Sequence, residues 1–261
     1  MTVLSIDWTD HVAHVILSRP ERMNALDDAL IDALVQAGRE LAGRRDCRAV
    51  VLSGAGRAFC SGIDMEALRS VASGGMQPID IATEVAGGAN IAQLAVLQWQ
   101  ELPMPVIAAV HGYALGGGLQ LALGADIRIV SPDARLGLVE VKWGMVPDMG
   151  GMVLLPDLLR ADCLAELLFS GRTFDGAEAV GLGIATRVED DPVAAALDRA
   201  RAIASASPDA VRAAKRLLRL RGARADVLRA EAREAMALIG KPNQREAMIA
   251  GLEKCPAQYV D

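Results

Sequence analysis

Three consecutive glycines, Gly116-Gly117-Gly118, join an apolar strand-like run, Pro105–Val110, to an apolar helix-like run that continues Leu119-Gln120-Leu121-Ala122. Glycine inside a helix costs roughly 1 kcal/mol relative to alanine, so three in succession imply a close approach to this backbone. A second glycine-rich turn, Gly54-Ala55-Gly56-Arg57-Ala58-Phe59-Cys60-Ser61-Gly62-Ile63-Asp64, follows another buried-type strand, Arg48–Leu52. The start of a helix leaves main-chain N–H groups without internal acceptors, which makes each turn a natural site for negative charge. Neither has the G-x-G-x-x-G spacing of a dinucleotide site, and the chain contains no Gly-Lys-Ser/Thr phosphate loop. Singly, each turn is accounted for by tight packing. Together, each behind a buried strand, they point to a pair of backbone donors. Such a pair stabilises a developing oxyanion, each donor contributing about 3–4 kcal/mol in the transition state.

The rest of the chain frames these turns. Val3–Asp7 and His11–Leu17 read as a hairpin, and a helix with Asp27 and Asp28 in its first turn runs to Leu41. A further helix is expected over roughly 79–99, then the strands Pro105–Val110 and Asp126–Val130. This recurring β–α–β rhythm predicts an α/β domain. From residue 192 the pattern turns helical, over Pro192–Ser205, Pro208–Leu220, Ala225–Ile239 and Gln244–Glu253. Hydrophobic residues make up 52 % of the 261, yet only 3 % are aromatic, which suits closely packed helices on sheets. The net charge of −6 argues against nucleic acid as a main partner. The four cysteines are widely spaced and read as reduced and intracellular. The longest apolar stretch, 105–125, is interrupted by His111 and five glycines, so no membrane span is expected and the protein is read as cytoplasmic.

The runs LSRPERMNAL, AFCSGIDM, IAAVHGYALGGGLQLALGADIRI and LGLVEVKWGMVPDMGG closely resemble the enoyl-CoA hydratase/isomerase (crotonase) family. The resemblance extends from about residue 3 to the carboxyl end. It implies the α/β crotonase-like (ClpP/crotonase) fold, a spiral of ββα units forming two near-perpendicular sheets, in residues 1–191. Residues 192–261 would then be a C-terminal helical subdomain that builds homotrimers, often paired into hexamers. It also implies an acyl-CoA thioester substrate whose enolate oxygen is held by the N–H groups of Ile63 and Gly117. A side chain at the glycines would, on this view, block that oxygen. Coenzyme A would be part of the substrate, and no separate cofactor or metal is called for.

Hydratases of the family hold a water between two glutamates. Here the first position is Gln120 and the second Glu140, preceded by Val139 where relatives have proline. An amide orients water but does not carry a proton at useful pH. Asp148, in Val146-Pro147-Asp148-Met149-Gly150-Gly151, resembles the second acid of the dienoyl-CoA isomerases. Double-bond migration needs one group to remove a proton and one to return it; Glu140 and Asp148 supply both, and isomerisation is the favoured reaction. The alternatives are a hydratase in which Glu140 alone activates a water oriented by Gln120, and a non-catalytic acyl-CoA-binding subunit. Blander roles stand beside these: Asp148 as an N-cap before Met152–Leu159, and Glu140 as an edge-strand acid facing water. His111 is expected to pack the donor loop, while His11 and His14 take no role. For the CoA moiety the resemblance implicates Arg22 and Met23, then Ser61, Asp64 and Met65, and Lys254 near the carboxyl end. Glu21 and Glu66 occupy places where relatives often carry lysine. Residues 82–97 are expected to wall the acyl pocket.

Overall fold

The computed structural model describes residues 2–73 and 80–261. It opens with a hairpin of β1 (Leu4–Thr9) and β2 (Val12–Leu17) joined through Asp10 and His11, both with positive φ. A two-residue turn of this kind matches the twist of the strands, which carries β1 through Trp8 and Thr9 rather than ending it at Asp7. Helix α1 (Asp28–Ala42) starts where Asp27 accepts the Leu30 N–H at 2.9 Å, and its apolar stripe, Leu30, Leu34 and Leu41, is buried. Next come β3 (Ala49–Gly54) and α2 (Met65–Ala72).

The helix expected over 79–99 is shorter than predicted, and Ile79 itself lies outside the described residues. A small hairpin, β4 (Glu84–Ala86) and β5 (Ala89–Asn90), precedes α3 (Ile91–Glu101). Gly87 and Gly88 both take positive φ, which breaks a helix, and Asn90 with Gln93 forms a reciprocal cap that fixes the start of α3. Strands β6 (Val106–Val110) and β7 (Tyr113–Leu115) lead into α4 (Gly117–Leu123), followed by β8 (Ile127–Val130) and β9 (Arg135–Gly137). A 3-10 turn over Glu140–Trp143 comes next. Beyond it lie α5 (Gly151–Leu154), α6 (Ala161–Ser170), β10 (Thr173–Phe174), α7 (Gly176–Leu182) and β11 (Arg187–Val188).

The six-stranded sheet has the order β1-β2-β3-β6-β8-β11, parallel except for β1 against β2, and a three-stranded sheet has the order β10-β9-β7. Parallel strands need both faces covered. One face lies on the main core with α1, α3 and α4; the other is covered by α8 (Pro192–Ala204). Ala196, Ala200 and Ala204 recur every four residues on α8 and bring it close to Val12, Val51, Ile107 and Ile129. The first helix past residue 191 is therefore part of the sheet's core. Helix α9 (Pro208–Leu218) is tied to it by Lys215, whose Nζ donates to the carbonyls of Trp99 (3.3 Å) and Met104 (2.8 Å) and lies 2.7 Å from Asp126. Helices α10 (Arg224–Leu238) and α11 (Pro242–Glu253) pack on α9, within a few residues of the expected spans. Among the described residues no helix is long and apolar enough to cross a membrane.

Candidate active site

The two glycine-rich turns are held against each other. Cys60 N–H donates to the Tyr113 carbonyl (2.9 Å) and Leu115 N–H to the Cys60 carbonyl (3.1 Å). On the opposite side, Leu26 N–H donates to Gly62 (2.7 Å) and Asp64 N–H to Leu26 (2.9 Å). Strand-like alternation leaves the Ile63 N–H without an acceptor among the described residues, and the Gly117 N–H, at the first residue of α4, likewise has none. The glycines answer to contacts within the chain. A β-carbon on Gly117 would stand 2.6 Å from Met149 Sδ and 2.8 Å from Leu26 Cδ1, and one on Gly62 would stand 2.6 Å from the Leu115 carbonyl oxygen. Gly62 (φ +91) and Gly116 (φ +51) also need conformations that side chains disfavour. A packing reason therefore stands beside the expected one: Gly62 meets the Leu115 backbone, while a β-carbon on Gly117 would crowd the Met149 and Leu26 side chains that line the cleft.

Glu140 heads the 3-10 turn rather than an edge strand, and at 6 % exposure it does not point to bulk water. Its Oε1 lies beside Gly116 and accepts the Gln120 Nε2 hydrogen at 2.7 Å, while its Oε2 is buried without a partner among the described residues. Burial pushes the Glu140 carboxyl up, with the charge of Asp148 adding to the rise. Asp148 lines the same cleft, and burial raises its carboxyl too. It is not an N-cap: α5 starts after Gly150, in the left-handed region, with no side-chain cap.

Gln120 requires a correction. Expected to face water or substrate, it is fully buried behind Glu140 and does not line the cleft. Its Oε1 accepts two main-chain N–H groups, from Met149 (2.9 Å) and Gly151 (3.0 Å). An amide oxygen has two lone pairs, so its acceptor capacity is filled.

The cleft has a volume of about 430 Å³. Arg22, Met23, Ser61, Ile63, Asp64, Met65, Gly117, Glu140 and Asp148 all line it, so most of the residues singled out from the sequence converge. Lys254 does not: it closes the carboxyl end of α11 in the left-handed conformation, away from this cleft. The Asp64 carboxylate is already engaged, by Arg19 (3.2 Å) and the Glu66 N–H (2.9 Å). Arg22 is bound to Glu66 at 2.9 Å, so an acid at a place associated with lysine holds the arginine expected to serve phosphate. Arg57 also lines the cleft, with no carboxylate within 4 Å among the described residues, and was missed. The available signal was its place directly after Gly54-Ala55-Gly56. His111 packs the loop as expected, its Nε2 2.9 Å from the Gly56 carbonyl. Of the segment 82–97 only Ala92 lines the cleft; Trp143, Met145, Val146 and Met149 supply apolar wall on the side of the acids. Among the described residues no group of three or more His, Cys, Asp or Glu could hold a metal ion.

Fold and cleft define an α/β protein with two clamped backbone turns facing one buried carboxyl, Glu140, and one half-buried, Asp148. The family model for enoyl-CoA hydratase/isomerase matches residues 7–261, and the chain belongs to that family. It is 40 % identical over 214 residues to the mitochondrial Delta(3,5)-Delta(2,4)-dienoyl-CoA isomerase of Mus musculus, covering 78 % of this chain but 64 % of the mouse protein's length. It is 35 % identical over 215 residues to an (E)-benzylidenesuccinyl-CoA hydratase of Thauera aromatica, covering 81 % of this chain and 80 % of that protein. The crystal structure of an enoyl-CoA hydratase from Bacillus anthracis superposes with a TM-score of 0.86 at 30 % identity, covering 98 % of each chain. The fold is that of the crotonases.

Proposed function

We propose that the protein isomerises the double bond of an unsaturated acyl-CoA, with Ile63 and Gly117 N–H holding the thioester oxygen and Glu140 and Asp148 moving the proton. One carboxylate takes a proton from C2, and the electron pair flows into the thioester carbonyl to form an enolate at the two N–H groups. The other carboxyl gives a proton to the far end of the conjugated system, C4 of a 3-enoyl or C6 of a 3,5-dienoyl chain. The double bonds shift towards the thioester and no atom is gained. Coenzyme A enters as part of the substrate, with Arg22, Met23, Ser61 and Met65 at its side of the cleft, Arg57 as a further cation and no separate cofactor.

The observation that carries this reading is the placement of the two acids. Both line one cleft, close enough for Asp148 to raise Glu140, while the residue at the hydratase's first acid position is a buried amide. Similarity to a dienoyl-CoA isomerase supports the same reaction. Similarity to hydratases favours a second reading, in which Glu140 alone activates a water; Gln120, buried with its oxygen occupied, contributes no water-binding group to it. A homotrimer or hexamer in the cytoplasm fits both readings, and exposed Leu228, Met236, Ile239, Met248, Ile249 and Leu252 on or beside α10 and α11 supply apolar surface for it.

The test is product mass in heavy-oxygen water, with a 2-enoyl-CoA and with 3-enoyl- and 3,5-dienoyl-CoA. Unchanged mass with a migrated double bond supports isomerisation. Gain of one heavy water on the 2-enoyl substrate supports hydration. Binding without either change supports a non-catalytic subunit.

A further inference from the structure

We propose that Gln120 is the positioning residue of the acid pair, holding Glu140 with one end of its amide and the turn that carries Asp148 with the other, so that Glu140 Oε2 alone remains to exchange a proton. This rests on the reading of Glu140 as the base that removes the C2 proton. The geometry leaves the amide one orientation. Two main-chain N–H groups, from Met149 and Gly151, converge on the same atom, which must therefore be the carbonyl oxygen. The NH₂ end then faces Glu140 and donates to Oε1 at 2.7 Å. Met149 follows Asp148 directly, and Gly151 starts α5, so the oxygen pins the backbone on the far side of the second acid.

The chemistry explains why this residue is an amide. A glutamate here would accept the two N–H bonds equally well but would set a second carboxylate oxygen against Glu140. One of the pair would then have to keep a proton. A hydrophobic residue would leave the Met149 and Gly151 N–H groups buried without acceptors. Glutamine is neutral, accepts twice and donates to the carboxylate. Close packing fixes it further: a β-carbon on Gly151 would stand 2.8 Å from Gln120 Oε1, and one on Gly116 would stand 3.3 Å from Glu140 Oε1. The result is a carboxylate with one oxygen tethered and the other, buried and unpartnered, left for the substrate. Burial raises the Glu140 carboxyl and the charge of Asp148, which lines the same cleft, adds to the rise, so a pH profile reports this pair.

The experiment measures exchange of the C2 protons of octanoyl-CoA in deuterated water, followed by mass as a function of pH, because exchange needs the base but no particular overall reaction. The proteins are the wild type, Gln120→Met, Gln120→Glu, Glu140→Gln and the Gln120→Met/Glu140→Gln double variant. Gln120→Met is expected to lower kcat for exchange by about 100-fold, the loss typical of a misplaced catalytic group, with KM within about threefold of wild type. The double variant is expected to exchange no more slowly than Glu140→Gln alone, because Gln120 acts through Glu140. Gln120→Glu keeps the acceptor for both N–H groups and so keeps the fold. Its added charge is expected to move the acidic limb of the profile up by at least about one pH unit. An unmoved limb in Gln120→Glu, or losses that multiply in the double variant, would overturn the positioning role while leaving Glu140 as base. Wild-type rates in Glu140→Gln, or no exchange in the wild type, would overturn the reading on which the role rests.

Discussion

Gly118 faces the Cys60 carbonyl oxygen so closely that a β-carbon on Gly118 would overlap it. The two turns that present Ile63 and Gly117 are thus clamped at backbone distance on both sides, by Gly118 on Cys60 and by Gly62 on Leu115. Gly118→Ala must push the loops apart. It is expected to destabilise the fold by about 1–3 kcal/mol, as overpacking does, and to lower turnover far more than it weakens CoA-ester binding. Denaturant unfolding and steady-state kinetics on one preparation check both parts.

Much of this clamp was legible in the chain. Two glycine turns after two apolar strands announced paired backbone donors; β6 and β8 fell near their expected spans because each is a largely apolar run bounded by breaks, and the four C-terminal helices because each is a long run with one clear pattern. The hairpin at 84–90 was hidden, since its strands are two and three residues long and mostly exposed, with no alternation to read. Glu140 and Asp148 could be named but not placed, because a 3-10 turn and a capless loop leave no periodic trace. The fate of Gln120 was out of reach: its three partners lie 20, 29 and 31 residues away, and only folding brings them together.

Glu140→Gln is expected to abolish turnover with little loss of CoA-ester binding, and also to change how stability responds to pH. Burial raises the Glu140 carboxyl, so the folded protein retains a proton that the unfolded chain has released. Stability from the protonated acid is full below the ordinary value of 4.5 and is lost as pH rises through the raised one. The glutamine variant escapes that loss. Its melting temperature is expected to exceed that of wild type at pH 8 and to match it near pH 4. A scan across this range settles the sign.

Asp148→Asn separates the two proton transfers. If Glu140 removes the proton and Asp148 returns it, the variant keeps C2 exchange within about tenfold of wild type. Double-bond migration should fall by about 100-fold or more, the contribution of a general acid. Following exchange by mass and migration by diene absorbance in one reaction gives both rates. Equal losses would instead assign the first transfer to Asp148.

The Lys215–Asp126 pair joins α9 to the strands below it. Lys215 is 6 % exposed, and Asp126 Oδ2 takes both its ammonium and the Val106 N–H. Lys215→Met removes the cation and strands a carboxylate, at an expected loss of about 3–5 kcal/mol. Adding Asp126→Asn should restore part of it, since the amide oxygen still accepts from Val106 without a buried charge. Urea unfolding of wild type, single and double variants measures the recovery.

Glu66 occupies the Arg22 guanidinium at the mouth of the cleft, 2.9 Å away and largely in solvent. An exposed pair of this kind contributes little to folding, so Glu66→Gln should leave stability unchanged. It should alter binding, because an arginine released from a carboxylate is available to a phosphate. Affinity for a CoA ester is expected to rise severalfold at low salt. The gain should shrink as salt shortens the reach of charge from about 10 Å at 0.1 M to about 3 Å at 1 M. Calorimetric titration with CoA and with its dephosphorylated form, each at both salt concentrations, locates the effect. A gain common to both ligands places Arg22 at the pyrophosphate, and one confined to CoA places it at the 3′-phosphate. An unchanged affinity in every titration removes Arg22 from the phosphate site and leaves Arg57 as the cleft's remaining unpaired arginine among the described residues.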